Sequence, residues 1–192
     1  DPVRDIETID TELNLSDLES LSRQIERYRK LSKSNDKETK AILTALEALE
    51  QHISQGARAR SFEIENAPEG FWEVWKTLIS SKPVFFVANV DESEAAYIPN
   101  LTGSKPIDKL ASYAASQGIE VVTISGQVES EVAELSPDER SEYLQELGLS
   151  SSGLDRIALA GYRILDLITY FTVGPKEARA WTIHRGTKAP QA

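Results

Sequence analysis

Pro83-Val84-Phe85-Phe86-Val87-Ala88-Asn89-Val90-Asp91-Glu92 opens as an unbroken apolar run and closes on polar residues. Fit for burial on both faces, the run Pro83 to Ala88 reads as a central strand of a parallel sheet, with Asn89 at its carboxyl end. Working outward, Lys105 to Gln117 carries helical spacing at Ile107, Leu110 and Tyr113 and stops at Gly118. Ile119 to Ile124 (IEVVTI) is then a second strand, followed by Ser125-Gly126-Gln127. Strand, crossover helix and parallel strand form one unit, so the fold class is α/β. Ligands of such sheets bind beyond the carboxyl ends of the strands. If the two strands are neighbours, Asn89 and Ser125 face one crevice. A carboxamide offers a donor and an acceptor to a purine edge, and a glycine lets backbone N–H groups approach a planar base. The plainer alternative is that Asn89 caps a turn and Gly126 permits it.

Around this centre the chain is mostly helical. From Ile6, the residues Ile9, Leu13, Leu18, Leu21, Ile25, Tyr28 and Leu31 mark one long amphipathic helix. After the polar loop Ser32 to Lys37, the period resumes at Ile42, Leu46, Leu49 and Ile53 until Gly56. Two such helices predict an antiparallel hairpin, each stripe buried on the other. Phe71, Trp72, Trp75 and Leu78 mark a short helix whose aromatics belong to the core. Ser136-Pro137-Asp138-Glu139 is a helix start, and that helix should end near Gly148. Another runs from about Ser152 to about Leu167. Ile168 to Val173 and Ala178 to Ile183, around Gly174-Pro175, predict a β-hairpin that opens a new domain.

Composition narrows the chemistry. The 192 residues carry 21 Lys and Arg against 31 Asp and Glu, a net charge of −10, so the surface as a whole repels phosphate backbones. There is no cysteine and there are only two histidines, which excludes disulfide frameworks, thiolate catalysis and cysteine-based zinc sites. His52 and His184 have no triad or metal partner nearby in sequence and read as structural or surface residues. Glu129, Glu131 and Glu134 read as a solvated helical face, with no metal implied. No apolar stretch is long enough to cross a bilayer as a helix, and no leader pattern opens the chain, so a cytoplasmic location is expected. With no methionine anywhere, the chain reads as part of a longer protein. Within Gly174 to Ala192, Lys176, Arg179, Arg185 and Lys188 face the single acid Glu177, the one local signal for RNA contact.

Asn89-x-x-Glu92 and Ser125-Gly126-Gln127, the run Tyr170-Phe171-Thr172-Val173-Gly174-Pro175-Lys176-Glu177, and Ala180-Trp181-Thr182-Ile183 through Gln191 resemble the YchF-type Obg-like ATPases. The opening Asp1-Pro2-Val3-Arg4-Asp5-Ile6-Glu7 is similar to the segment just after the second switch region of that family. The resemblance spans essentially the whole chain and is loosest from about Ser32 to Trp75. It implies part of a P-loop nucleotide-hydrolase sheet with a helical coiled-coil insertion and the start of a β-rich TGS domain. On that layout, residues 1–67 are the helical segment and insertion, 68–167 the second half of the nucleotide domain, and 168–192 the beginning of TGS.

The resemblance also implies site residues. Asn89, Val90 and Glu92 would read or flank the base, with Ser125 and Gly126 closing the other edge. Related GTPases carry Asn-Lys-x-Asp, whose Asp takes two hydrogen bonds from guanine; here Val90 and Glu92 stand in place of the Lys and the Asp. Adenine presents one amino donor beside an acceptor, so relaxing the carboxylate clamp admits ATP. A buried hydrogen-bonding site can discriminate by roughly 10⁴-fold, so the substitution is large enough to matter. The chain contains no Gly-x-x-x-x-Gly-Lys-Ser/Thr; Gly103-Ser104-Lys105, Gly174-Pro175-Lys176 and Gly186-Thr187-Lys188 lack the required order. The expectation is therefore a base-reading half-site, with no catalytic residue of its own and no hydrolysis by these residues alone. The phosphates of ATP or GTP and their Mg²⁺ would be held by residues outside this chain. Lys176, Arg179, Arg185 and Lys188 would contact RNA or the ribosome. The competing reading is a non-enzymatic interaction module that uses the helical hairpin.

Overall fold

The computed structural model describes residues 1–34, 36–94 and 105–191. Asn35 of the expected inter-helix loop lies outside the described residues, as does Gly103-Ser104 of the first P-loop candidate. The chain divides into two compact units, Asp1–Pro83 and Val84–Ala192.

In the first unit, helix α1 (Pro2–Leu31) starts on Asp1, whose carboxylate accepts the Val3 N–H, with Pro2 in the first turn. Helix α2 (Lys37–Ser54) starts on Asp36, which accepts from the N–H of Thr39 at 2.9 Å. Gly56, at φ +88°, ends it in the left-handed conformation that a side chain would disfavour. The two helices run antiparallel: Arg29 near the end of α1 pairs with Glu47, while Asn14 near its middle donates to the carbonyls of Gly56 and Ala57, just past the end of α2. Leu21 and Ile25 bury against Ile42, Leu46, Leu49 and Ile53, and Phe71 and Val74 of α3 (Glu69–Trp75) complete the core.

The buried stripe of α1 differs from the expected one. Ile9 is 59% exposed and Leu31 is exposed, whereas Asn14 and Asp17 are buried. At Ile9 the cause is length: α2 has 18 residues and α1 has 30, and α2 ends beside Asn14, so Ile9 lies beyond the reach of α2. The polar members of the stripe are satisfied by backbone. Asp17, 2% exposed, accepts the N–H groups of Ile79 and Ser80, each at 2.7 Å, and Ser80 Oγ in turn accepts the Ala59 N–H. Arg58 forms an ion pair with Asp10. Phe71, Trp72 and Trp75 stack edge to face in and around the core, as their spacing implies.

In the second unit, β1 (Phe86–Asn89) and β2 (Val121–Ile124) pair in parallel, Phe86 opposite Val121 and Asn89 opposite Ile124. The crossover is α4 (Lys105–Ser116), which buries Ile107, Leu110 and Ala114 and ends before Gly118 at φ +63°. Both strands are shorter than expected and begin later. Among the described residues β1 has β2 as its one strand neighbour, and Val87 is 44% exposed, so the central position anticipated for this run is not what these residues show. Three helices follow, α5 (Gly126–Glu134), α6 (Pro137–Glu146) and α7 (Gly153–Ile164). Helix α6 opens on the Ser136/Glu139 capping box, and α7 is capped by Ser152, which accepts the Asp155 N–H. Helix α7 ends at Ile164 rather than near Leu167, which already belongs to β3 (Leu167–Val173). Strand β3 pairs antiparallel with β4 (Ala178–His184), and the turn closes through Gly174 N–H to Glu177 O. No helix among the described residues is long and apolar enough to cross a membrane.

Candidate nucleotide-base site

Parallel pairing with Asn89 opposite Ile124 makes both strands end at the same edge, so the chain leaves the sheet there twice, side by side. The ladder continues one step further, with Val90 N–H donating to Ile124 O at 2.8 Å. Asn89 Oδ1 then accepts the N–H of Gly126, 37 residues later, at 2.9 Å. Gly126 is the first residue of α5, and its N–H is one of the donors a helix start cannot satisfy internally. The Asn89 carboxamide therefore ties the two loops together and caps α5 in one bond. A Cβ on Gly126 would sit 3.4 Å from Asn89 Oδ1, an ordinary van der Waals contact, so the bond itself does not demand a glycine here.

The other expected site residues fall around this bond. Glu92 Oε2 accepts from Gln127 Nε2 at 2.9 Å, a second bridge between the same two loops. Ser125 is 1% exposed, and its Oγ, like Thr123 Oγ1, is buried with no hydrogen-bond partner among the described residues. Val90 packs against the small core of Val128, Val132 and Leu149, which anchors the first loop from beneath. The loop tips are thus joined by two bonds, Asn89 with Gly126 and Glu92 with Gln127, while Val90 and Ser125 are turned into the protein.

Beneath the site, two residues hold it in place, one that spacing did not single out and one that it assigned to solvent. Arg156 on α7 donates to the carbonyl of Thr123 at 3.0 Å and to that of Ser151 at 2.7 Å, fixing α7 to β2. Burial lowers its guanidinium pKa from the usual value, offset in part by Glu129 and Asp155. Glu129 itself corrects the expectation of a solvated acidic face. It is 9% exposed, and its two oxygens accept the N–H groups of Gly153 (2.5 Å) and Leu154 (3.2 Å), an anion at the positive start of α7. Its partners lie 24 and 25 residues away, so no local pattern could have announced them. Gln127 stood inside the Ser-Gly-Gln motif, but its partner Glu92 is visible only once the loops meet.

Glu131, one turn along α5 from Gln127, accepts the phenol of Tyr143 on α6. That hydrogen bond, reinforced by burial and by the charges of Glu131, Glu92 and Glu146, pushes the Tyr143 pKa up to about 12. A phenol raised above its unfolded value of about 10 contributes stability that is fully present below that pH and is lost as pH rises through the folded pKa. Difference titration of wild type against Tyr143→Phe at the phenolate band should show one tyrosine ionising near 12. Glu131→Gln should bring that midpoint down towards 10, and a midpoint near 10 in the wild type would contradict the bond.

Each histidine has a protein partner: His52 Nε2 lies 3.0 Å from Ser61 Oγ, and His184 Nδ1 lies 3.1 Å from Leu165 O. In the basic tail, Arg179 pairs with Glu177 at 3.0 Å and lies 6.0 Å from the Trp181 ring centroid, while Arg185 pairs with Asp166 at 3.0 Å. Two of the four cations are thus already matched by carboxylates.

Over its whole length the chain is 40% identical to the ribosome-binding ATPase YchF of Bacillus subtilis strain 168 and 41% identical to that of Escherichia coli O157:H7. The structure of the Schizosaccharomyces pombe YchF GTPase superimposes on all of it with a TM-score of 0.83 at 29% identity. The chain's homologues are YchF proteins. The YchF-GTPase C-terminal family model, described as a protein of unknown function (DUF933), matches residues 167–192, the segment of the β-hairpin. The α/β arrangement of helices with a small sheet is that of the YchF structural relative. The chain spans about half the length of the YchF relatives it matches, 51% of each of the three proteins named.

Proposed function

We propose that in the full-length protein these residues form the base-reading half of a nucleotide site that binds and hydrolyses ATP in preference to GTP. The observation that carries the reading is the hydrogen bond from Gly126 N–H to Asn89 Oδ1, which brings the two loop tips to one place at the carboxyl edge of a parallel sheet. With Oδ1 committed to the protein, the Nδ2 group of Asn89 is the donor for a purine ring nitrogen. Glu92 supplies an acceptor for the adenine amino group, Gly126 admits the plane of the base, and Val90 and Ser125 shape the two loops from within. The buried Ser125 and Thr123 hydroxyls are polar groups that cost free energy until water or ligand satisfies them. The Asn89 amide donor and the Glu92 acceptor together suit an adenine edge. Bound ATP would bring Mg²⁺ on its phosphates, and the phosphate and metal chemistry would fall to residues outside this chain, which on its own binds without turnover.

On the same reading the full-length protein is a cytoplasmic nucleotide switch that associates with the ribosome; the relatives named ribosome-binding ATPases support the ribosome as its partner. In that switch, residues 1–67 form the helical insertion, 68–167 the second half of the nucleotide domain and 168–192 the start of TGS. Lys176, Arg179, Arg185 and Lys188 are the RNA or ribosome contacts, with Arg179 and Arg185 trading their present carboxylate partners for phosphate. Calorimetric titration of the full-length protein tests the base site. ATP should bind saturably, and Asn89→Ala, which removes the loop tie and the base donor together, should weaken it by about tenfold or more. Affinity unchanged by Asn89→Ala would remove the base from this cleft.

A further inference from the structure

We infer that Gln127 is a specificity-determining positioning residue, which biases the proposed site towards ATP by engaging one oxygen of Glu92; the inference rests on the base-site reading above. Gln127 is the second residue of α5, and its Nε2 lies 2.9 Å from Glu92 Oε2 and 3.5 Å from Glu131 Oε1. Both neighbours are carboxylates, which only accept, so the amide nitrogen and not its oxygen must face them. The side chain is also supported from behind. Glu131 stands one helical turn further along α5, and its other oxygen is taken by the Tyr143 phenol from α6. Gln127 is thereby held between two acids with its donors towards both.

The consequence lies in what remains of Glu92. A guanine edge presents N1–H and the N2 amino group side by side and needs both oxygens of a carboxylate, each approached in the carboxylate plane. At Glu92 one of the two lone-pair positions on Oε2 is filled by the Gln127 amide, so a guanine docking in two-bond fashion has to share that oxygen with it, a weaker and more crowded arrangement. Adenine offers one amino donor next to a ring acceptor, and Oε1 alone suffices for it. The Asn-x-x-Glu motif and the Gln of Ser-Gly-Gln thus act as one device assembled across the two loops.

The test is the ratio of affinities in the full-length protein, measured with fluorescent ATP and GTP analogues at fixed Mg²⁺. Gln127→Ala should lower the ATP-over-GTP ratio by about five- to tenfold, the value of one hydrogen bond, chiefly by tightening GTP. Glu131→Ala, which leaves Gln127 in place but unsupported, should shift the ratio less and in the same direction. Equal loss of both affinities would make Gln127 a scaffold residue, and an unchanged ratio would leave it without a role; either overturns the inference while the base site stands. If the wild type binds neither nucleotide, the base-site reading falls, and this inference with it.

Discussion

Gly153→Ala should cost about 2–3 kcal/mol of stability, a large effect for one methyl group. The added Cβ would lie 2.6 Å from Glu129 Oε1 and 2.7 Å from Ile124 Cγ2, well inside van der Waals contact. Neither neighbour can yield freely. Glu129 is held by the Gly153 and Leu154 N–H groups at the start of α7, and Ile124 is the last residue of β2, opposite Asn89. Relief would have to displace either the buried carboxylate or the strand end that carries the base loop, so ATP affinity in the full-length protein should fall along with stability. Gly161 on the same helix is the control. A Cβ there meets nothing within 4 Å, so Gly161→Ala should stabilise by about 0.5–1 kcal/mol through helix propensity alone. Urea denaturation of both variants checks the pair; equal effects of the same sign would mean that the close approach at Gly153 is absent.

Asp17→Ala should be costlier still, about 3 kcal/mol or more, because it strands the N–H groups of Ile79 and Ser80 beside the core of the first unit. Each now donates to a carboxylate oxygen at 2.7 Å, and charge-assisted bonds of this kind are the strong ones. Asp17→Asn keeps one acceptor and turns the other position into a donor facing an N–H, so it should fall between wild type and Ala. The same denaturation measurement decides it. An Ala variant within about 0.5 kcal/mol of wild type would mean that water replaces the carboxylate.

The long helices, the crossover unit and the terminal hairpin were legible because each is written locally: a 3.6-residue stripe at Leu21 and Ile25, a cap at Ser136, a stop at Gly118, and β-branched and aromatic residues around Gly174-Pro175. Helix and strand limits moved where partners set them. Ile9 continues the apolar period of α1 but lies beyond the reach of the shorter α2, and Asn14 and Asp17 interrupt the period but are buried because backbone groups far along the chain satisfy them. The candidate site divides in the same way. Asn89 and Gly126 could be paired from sequence because each follows a strand of one parallel unit, and the bond between them is the contact that pairing requires. Glu129, Arg156 and the alliance of Gln127 with Glu92 could not, since their partners lie in other elements and no spacing rule connects them.

A crystal structure of the full-length protein with a non-hydrolysable ATP analogue tests the base cleft most directly. The adenine should lie over Gly126 between the two loop tips, with Asn89 Nδ2 and a Glu92 oxygen within hydrogen-bonding distance of its ring nitrogen and amino group. An adenine seated elsewhere, with the Asn89 and Glu92 side chains touching only protein, would contradict it.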